Sequence, residues 1–131
     1  MTTSNARRKA IALAALLLLW AGGVAAQALG DRPIRVVVPY PPGGGTDSVA
    51  RILAPRLAEL VGRPVIVDNK PGGSSAIGLD NVAKSRPDGH TLGVVNMAFV
   101  ANPSLMKLPY DTDKDFVPIT MVTTLPLVVA V

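Results

Sequence analysis

What the chain lacks narrows its chemistry before any motif is read. It contains no cysteine, which excludes disulfide bridges, a thiolate nucleophile and a lipid-modified cysteine at a processing point. Histidine occurs once, at His90. It stands in a turn before an apolar run, a placement that suits an ordinary turn residue better than a general base. No G-x-S-x-G elbow accompanies it. Aromatic residues make up only 4% of the chain and no basic stripe exists, so the features of a nucleic-acid binder are missing. Three of the 13 basic residues and none of the nine acidic ones fall in the first 28 positions, leaving ten against nine, a net charge of +1. The high overall pI therefore belongs to the N-terminal segment.

That segment has the layout of a secretory signal. Arg7, Arg8 and Lys9 precede an unbroken apolar run from Ile11 to Ala21, and small residues end in Ala26-Gln27-Ala28. The run is shorter than the roughly 20 apolar residues that a membrane span requires. Cleavage after Ala28 is expected, with Ala26 as the second site, and no stable membrane insertion afterwards. Lys9-Ala10 displaces the hydrophobic residue that usually follows a twin-arginine pair, so the general secretory route is favoured. The expected location is the periplasm.

Two stretches of the remainder share one plan. In the first, Val36-Val37-Val38-Pro39-Tyr40 runs into Pro41-Pro42-Gly43-Gly44-Gly45-Thr46-Asp47, which opens an amphipathic segment. In the second, Val65-Ile66-Val67-Asp68-Asn69 is followed by Lys70-Pro71-Gly72-Gly73-Ser74-Ser75. Each reads as strand, glycine turn, helix start. Glycine lets backbone approach a ligand closely, and a helix N-terminus offers unpaired N–H groups with the positive end of its dipole. Two such turns at the carboxyl edge of one parallel sheet make an anion site.

Taken in order, the pattern predicts a strand over 32–39 and a helix over 46–61 that buries Val49, Ile52, Leu53, Leu57, Leu60 and Val61 and stops at Gly62. Pro55 falls inside that helix, where it removes one hydrogen bond. A second strand over 65–68 leads to a helix capped by Ser74 or Ser75 that reaches about Ser85 and turns Ile77, Val82 and Ala83 inward. Arg86-Pro87-Asp88-Gly89 is a turn. A third strand over 91–95 ends at Asn96-Met97-Ala98, before a short helix around 101–106. Residues 116–131 read as extended chain broken by Pro118 and Pro126. This alternation predicts an α/β fold with a doubly wound, mainly parallel sheet.

Several chemistries are disfavoured. Neither glycine turn carries G-x-G-x-x-G or the Lys-Ser/Thr of a phosphate loop. Asp111-Thr112-Asp113-Lys114-Asp115 imitates half of a calcium loop, yet Phe116 and Val122 stand where glycine and glutamate belong. It suits a solvated acidic linker. No metal, cofactor or catalytic constellation is indicated.

Pro33-Ile34-Arg35, the Pro41 to Asp47 turn, Asn69-Lys70-Pro71-Gly72-Gly73 with Ile77-Gly78, Pro87-Asp88-Gly89, Asn102-Pro103-Ser104-Leu105, and Leu108-Pro109-Tyr110-Asp111 with Asp115-Phe116 form one combination. In it the chain resembles the Bug-type (TctC-like) solute-binding proteins of tripartite tricarboxylate transporters. The likeness extends from residue 32 to 131. The resemblance implies a periplasmic binding protein of type II, a two-lobed Venus flytrap of about 300 residues that closes on a small carboxylate. It divides the chain into a signal peptide (1–28), the first part of lobe 1 (29–118) and the start of a crossover strand (119–131). The apolar ending Leu127 to Val131 further suggests a truncated reading frame. His90, Pro55 and Ser74-Ser75 depart from the family pattern, and the two serines bear on ligand choice.

The expected ligand contacts are the main-chain N–H groups of Gly43, Gly44, Gly45 and Thr46 and of Gly72, Gly73, Ser74 and Ser75, with the Asn96 side chain as a third contact. Tyr40 and Pro42 complete the set. Asp47 belongs to the same turn, but a carboxylate beside an anion repels it, so its expected part is to hold the turn in shape. Expected partners are a small organic acid and the transporter's membrane subunits. A sensor ectodomain in a signalling system, or an enzyme on the same scaffold, remain the alternatives.

Overall fold

The computed structural model describes residues 32–124. The expected signal peptide and cleavage site, and the end of the expected crossover strand (125–131), lie outside the described residues. The elements are β1 (Ile34–Val38), α1 (Gly45–Val61), β2 (Val65–Asn69), α2 (Ala76–Ala83), β3 (Thr91–Gly93) and α3 (Met97–Leu105), with a single 3-10 turn at Gly73–Ser75 leading into α2. The strands form one parallel sheet in the order β2-β1-β3. The α/β, parallel-sheet architecture read from the alternation is thus the observed one.

β1 is the central strand, and its continuous apolar run reflects burial on both faces. Val37 and Val38 are fully buried. Val36 and Val38 pack with Ala50 of α1 on one face. On the other face α2 lies so close that a Cβ on Gly78 would stand 2.6 Å from Pro39 Cβ. Leu79 of α2 is also fully buried. Burial of Val37, Val38 and Leu79 contributes roughly 1.5–3 kcal/mol each. Because the chain goes from β1 to β2 on one side and returns to β3 on the other, strand order reverses at β1. That reversal opens a crevice between the carboxyl ends of β1 and β3.

The helix faces differ from expectation. In α1 the buried residues are Asp47, Ala50 and Ala54, while Ile52 is 72% and Leu60 85% exposed. Asp47 sets this rotation: its bonds to the preceding turn require it to face inward, and residues three and seven positions on follow it. Small alanines then let the helix lie close to the sheet. Pro55 is exposed and α1 continues through it to Val61, where Gly62 ends the helix in a left-handed conformation. In α2 Ile77 points out and Leu79 takes the inward place. β3 is two residues shorter than its apolar run, and α3 starts at Met97, four residues earlier than expected.

At the opposite, amino edge of the sheet, His90 is buried and its main-chain N–H donates to Asp88 Oδ1 at 3.0 Å. Arg32 pairs with Asp88 at 2.8 Å. The Arg32 guanidinium first, and then the His90 amide, lower the Asp88 carboxyl to about 2. The sole histidine thus stands at the far end of the strands from the glycine turns.

Candidate functional site

Register brings the three strand ends level. Lys70 donates its N–H to Val38 O at 2.9 Å and Val94 donates to Val37 O at 3.0 Å. The turns after β1, β2 and β3 therefore leave the same sheet edge, and each delivers the N-terminus of a helix. The sequence pointed to two such helix starts at this edge. α3 supplies a third.

The first turn is held by side chains. Gly43 has φ +86°, a conformation that an L side chain rarely adopts. Its N–H donates to Asp47 Oδ2 at 2.8 Å, and Arg51 Nε donates to the same oxygen at 2.9 Å. Asn69 Nδ2 donates to Asp47 Oδ1 at 2.9 Å and to Tyr40 O at 3.2 Å, while Arg51 donates to Asn69 Oδ1 at 2.9 Å. Asp47 is only 2% exposed, and a buried carboxylate persists when its lone pairs are occupied in this way. Arg51 foremost, then the Gly43 amide and Asn69, hold its carboxyl down to about 2. Asp47 reaches back from the first turn of α1 in the manner of a capping box, but its target is the Gly43 amide. Gly43 is thereby occupied, and the amides that α1 leaves without intrahelical acceptors follow it, at Gly44, Gly45 and Thr46. A Cβ on Gly45 would meet nothing within 4 Å. Pro42, Gly43, Gly44 and Gly45 are exposed at the rim.

The second turn is held by backbone conformation. Gly72, Gly73, Ser74 and Ser75 all have positive φ, at 126°, 55°, 53° and 77°. Two consecutive serines in this region carry strain of the order of 1 kcal/mol each. Asn102 on α3, itself buried, donates to Ser74 O at 2.7 Å and clamps the turn. Ser75 is the N-cap of α2 without making a side-chain capping bond. Its hydroxyl is buried with no partner among the described residues. It lies near the Tyr40 phenol without completing a hydrogen bond of good geometry, although the proximity offsets part of the rise that burial imposes on the Tyr40 pKa. Lys70, the nearest cation by sequence, is 3.6 Å from Asp68.

The third turn joins the other two. Tyr40 Oη donates to Asn96 Oδ1 at 2.5 Å, which links the end of β1 to the end of β3 across the crevice. Asn96 Oδ1 also accepts the Ala98 amide at 2.9 Å and caps α3. Tyr110 is buried near Tyr40 and Asp80, and burial foremost raises its pKa. Phe116 packs edge-on against Phe99 and Tyr110, with ring centroids 5.2 and 5.3 Å away. The acidic segment closes on itself: Asp111 Oδ1 accepts the amides of Asp113 and Lys114 at 3.0 and 3.1 Å. A depression lined by Met106, Lys107, Leu108, Tyr110, Asp111 and Asp115 contains none of the expected contacts.

All twelve residues singled out by sequence therefore lie on the turns at one sheet edge, tied by the bonds of Asn69 to Tyr40 and Asp47, of Tyr40 to Asn96 and of Asn102 to Ser74. Arg51, Asn69 and Asn102 were not singled out as site residues. The signal for Arg51 was its position four residues after Asp47 on a helix. Asn69 and Asn102 gave none beyond the motifs they stand in, because their partners are 22 and 28 residues away in the chain.

Residues 49–131 match the family model described as "Tripartite tricarboxylate transporter family receptor" (TctC). The chain belongs to this family. It is 43% identical over 113 residues to Protein BugT of Bordetella pertussis, covering 81% of this chain and 35% of that protein. Among solved structures it is similar to the periplasmic binding protein BugD (40% identity, TM-score 0.63, covering 66% of this chain and 29% of BugD). It is also similar to MatC of Rhodopseudomonas palustris with bound malate (37% identity, TM-score 0.63, covering 70% of this chain and 32% of MatC). The chain spans about a third of the length of the relatives it matches. The comparisons thus agree with the resemblance carried by the sequence motifs.

Proposed function

We propose that these three turns form one wall of a binding site for a small organic acid, a dicarboxylate or tricarboxylate, that a periplasmic solute-binding protein captures for a tripartite transporter. The observation that carries this reading is the crevice at the reversal of strand order. There the open amides of Gly44, Gly45 and Thr46 stand at the start of α1, and the Tyr40–Asn96 bond spans β1 and β3. Helix N-termini favour anions, and the cations beside the turns are engaged with acids, Lys70 with Asp68 at 3.6 Å and Arg51 with Asp47 at 2.9 Å. Malate in the related MatC supports a carboxylate as the ligand class. The secretory layout of residues 1–28 and the periplasmic BugD support the compartment. Capture of an anion fits a wall built of main-chain amides at helix N-termini. Delivery to membrane subunits is the family's reading, extended here to this chain.

A cleft binder buries most of its ligand between two walls. The test accordingly uses the full-length protein and Gly44→Val. Gly44 has φ −77°, which valine adopts freely, and a Cβ there would be 3.6 Å from Pro41 O. The substitution fills the space above the turn without forcing the backbone. Calorimetry with malate is expected to show binding in the wild type and none in the variant, at an unchanged unfolding temperature. Equal affinity would overturn the turn as the ligand wall.

A further inference from the structure

We propose that Asn96 sets the polarity of the site, admitting an oxygen acceptor of the ligand and rejecting a nitrogen donor at that position. This deepens the carboxylate reading and rests on it. The reasoning begins with the amide's two ends. An asparagine side chain offers an oxygen that only accepts and an NH2 that only donates, and either end can face a ligand if the group is free to flip.

Here it is not free. The Ala98 main-chain N–H is a donor without ambiguity, so the side-chain atom that it meets at 2.9 Å is the oxygen. The Tyr40 phenol donates to the same oxygen at 2.5 Å. Both lone-pair directions of Oδ1 are thus taken, one from the turn after β1 and one from α3. Nδ2 has no partner among the described residues, and Asn96 itself is exposed. A flip would set NH2 against an N–H and forfeit both bonds. Burial raises the Tyr40 pKa above its ordinary value, so the phenol remains a donor throughout the neutral range.

The open end of Asn96 is therefore a fixed donor beside the unpaired amides of α1. A carboxylate or carbonyl oxygen satisfies it. A carboxamide NH2 or an ammonium group placed there leaves two donors facing each other, and a site of this kind discriminates strongly because the mismatch strands a polar group. Tyr40 acts as a positioning residue: it fixes the amide without needing to touch the ligand.

The experiment compares succinate with succinamate, its monoamide, and with malate, by calorimetry on the full-length wild type, Asn96→Asp and Tyr40→Phe. Aspartate retains the capping oxygen and the bond from Tyr40, and it caps helices as well as asparagine. It changes only the outward group, from NH2 to an anionic oxygen. The wild type is expected to prefer succinate at least tenfold over succinamate, whose carboxamide can offer its carbonyl oxygen to Asn96 only by turning its NH2 toward the donor amides of α1. Asn96→Asp is expected to weaken succinate about a hundredfold and to invert the order, while unfolding within a few degrees of wild type. Tyr40→Phe, which keeps the ring, is expected to narrow the preference without inverting it. An Asn96 that merely caps α3 predicts the wild-type order in both variants, and that result would overturn the assignment. Binding of the acids with the order unchanged removes this inference alone; no binding of malate or succinate to the wild type removes the carboxylate reading and this inference with it.

Discussion

The turns after β1 and β2 share a sequence plan and reach the same kind of helix start by different means. The first is shaped by a carboxylate: Asp47, fed by Gly43, Arg51 and Asn69, leaves only one residue, Gly43, in the left-handed region. The second has no acid within it. It uses four successive residues of positive φ and a clamp from Asn102 of α3. The difference teaches that a glycine-rich turn can be specified through side-chain electrostatics or through backbone conformation. The first kind is vulnerable to pH and to loss of its acid, the second to any added Cβ.

The largest effect is expected at Asp47. Asp47→Ala removes the shared acceptor of the Gly43 amide, Asn69 Nδ2 and Arg51 Nε, and a fall of about 10 °C in the unfolding midpoint is expected in thermal melts. The acid dependence follows with its sign. The folded pKa of about 2 lies below the ordinary value of 3.8, so the contribution is complete above roughly pH 4 and disappears as pH falls through about 2. Stability measured across that window should fall less steeply in Asp47→Ala, with Asp88 at the far sheet edge supplying a remaining slope of the same sign. An equally steep decline in both proteins would break the contrast between the turns.

Next comes Gly72→Ala, at φ +126° and with a Cβ that would stand 2.7 Å from Ile77 Cδ1. A loss of about 1–3 kcal/mol is expected by denaturant unfolding. Gly45→Ala in the first turn should change stability by less than about 0.5 kcal/mol, since a Cβ there meets open space. Equal costs at the two glycines would show that the turns are held alike. The last effect has the opposite sign. Ser74→Gly relieves a positive φ of 53° and should stabilise by a few tenths to about 1 kcal/mol. A destabilised variant would assign the Ser74 side chain a role that its backbone geometry does not require.

Much of this arrangement was legible in advance. The apolar Val36-Val37-Val38 run announced a strand covered on both faces, and the two proline-glycine turns marked the sheet edge at which helices α1 and α2 begin. The inward face of α1 was misjudged because the reading favoured large side chains: Ile52, Leu53 and Leu60 were assigned to the core where Ala50 and Ala54 occupy it. Hydrophobic spacing defines an apolar stripe, yet a buried polar tether decides which part of that stripe meets the sheet. Ile77 was misplaced as well, with Leu79 two residues on filling the space beside β1.

By itself the sequence determined the order of elements, the parallel sheet, the position of the turns and the family, because periodicity, turn residues and motifs are local and survive without partners. Tertiary structure alone decided that Asn69 braces Asp47, that Asn102 clamps Ser74, and that Tyr40 holds the Asn96 oxygen inward. Each of these joins groups through the sheet edge, and a hydrogen bond depends on distance and direction in space, which chain spacing does not encode beyond a helical turn.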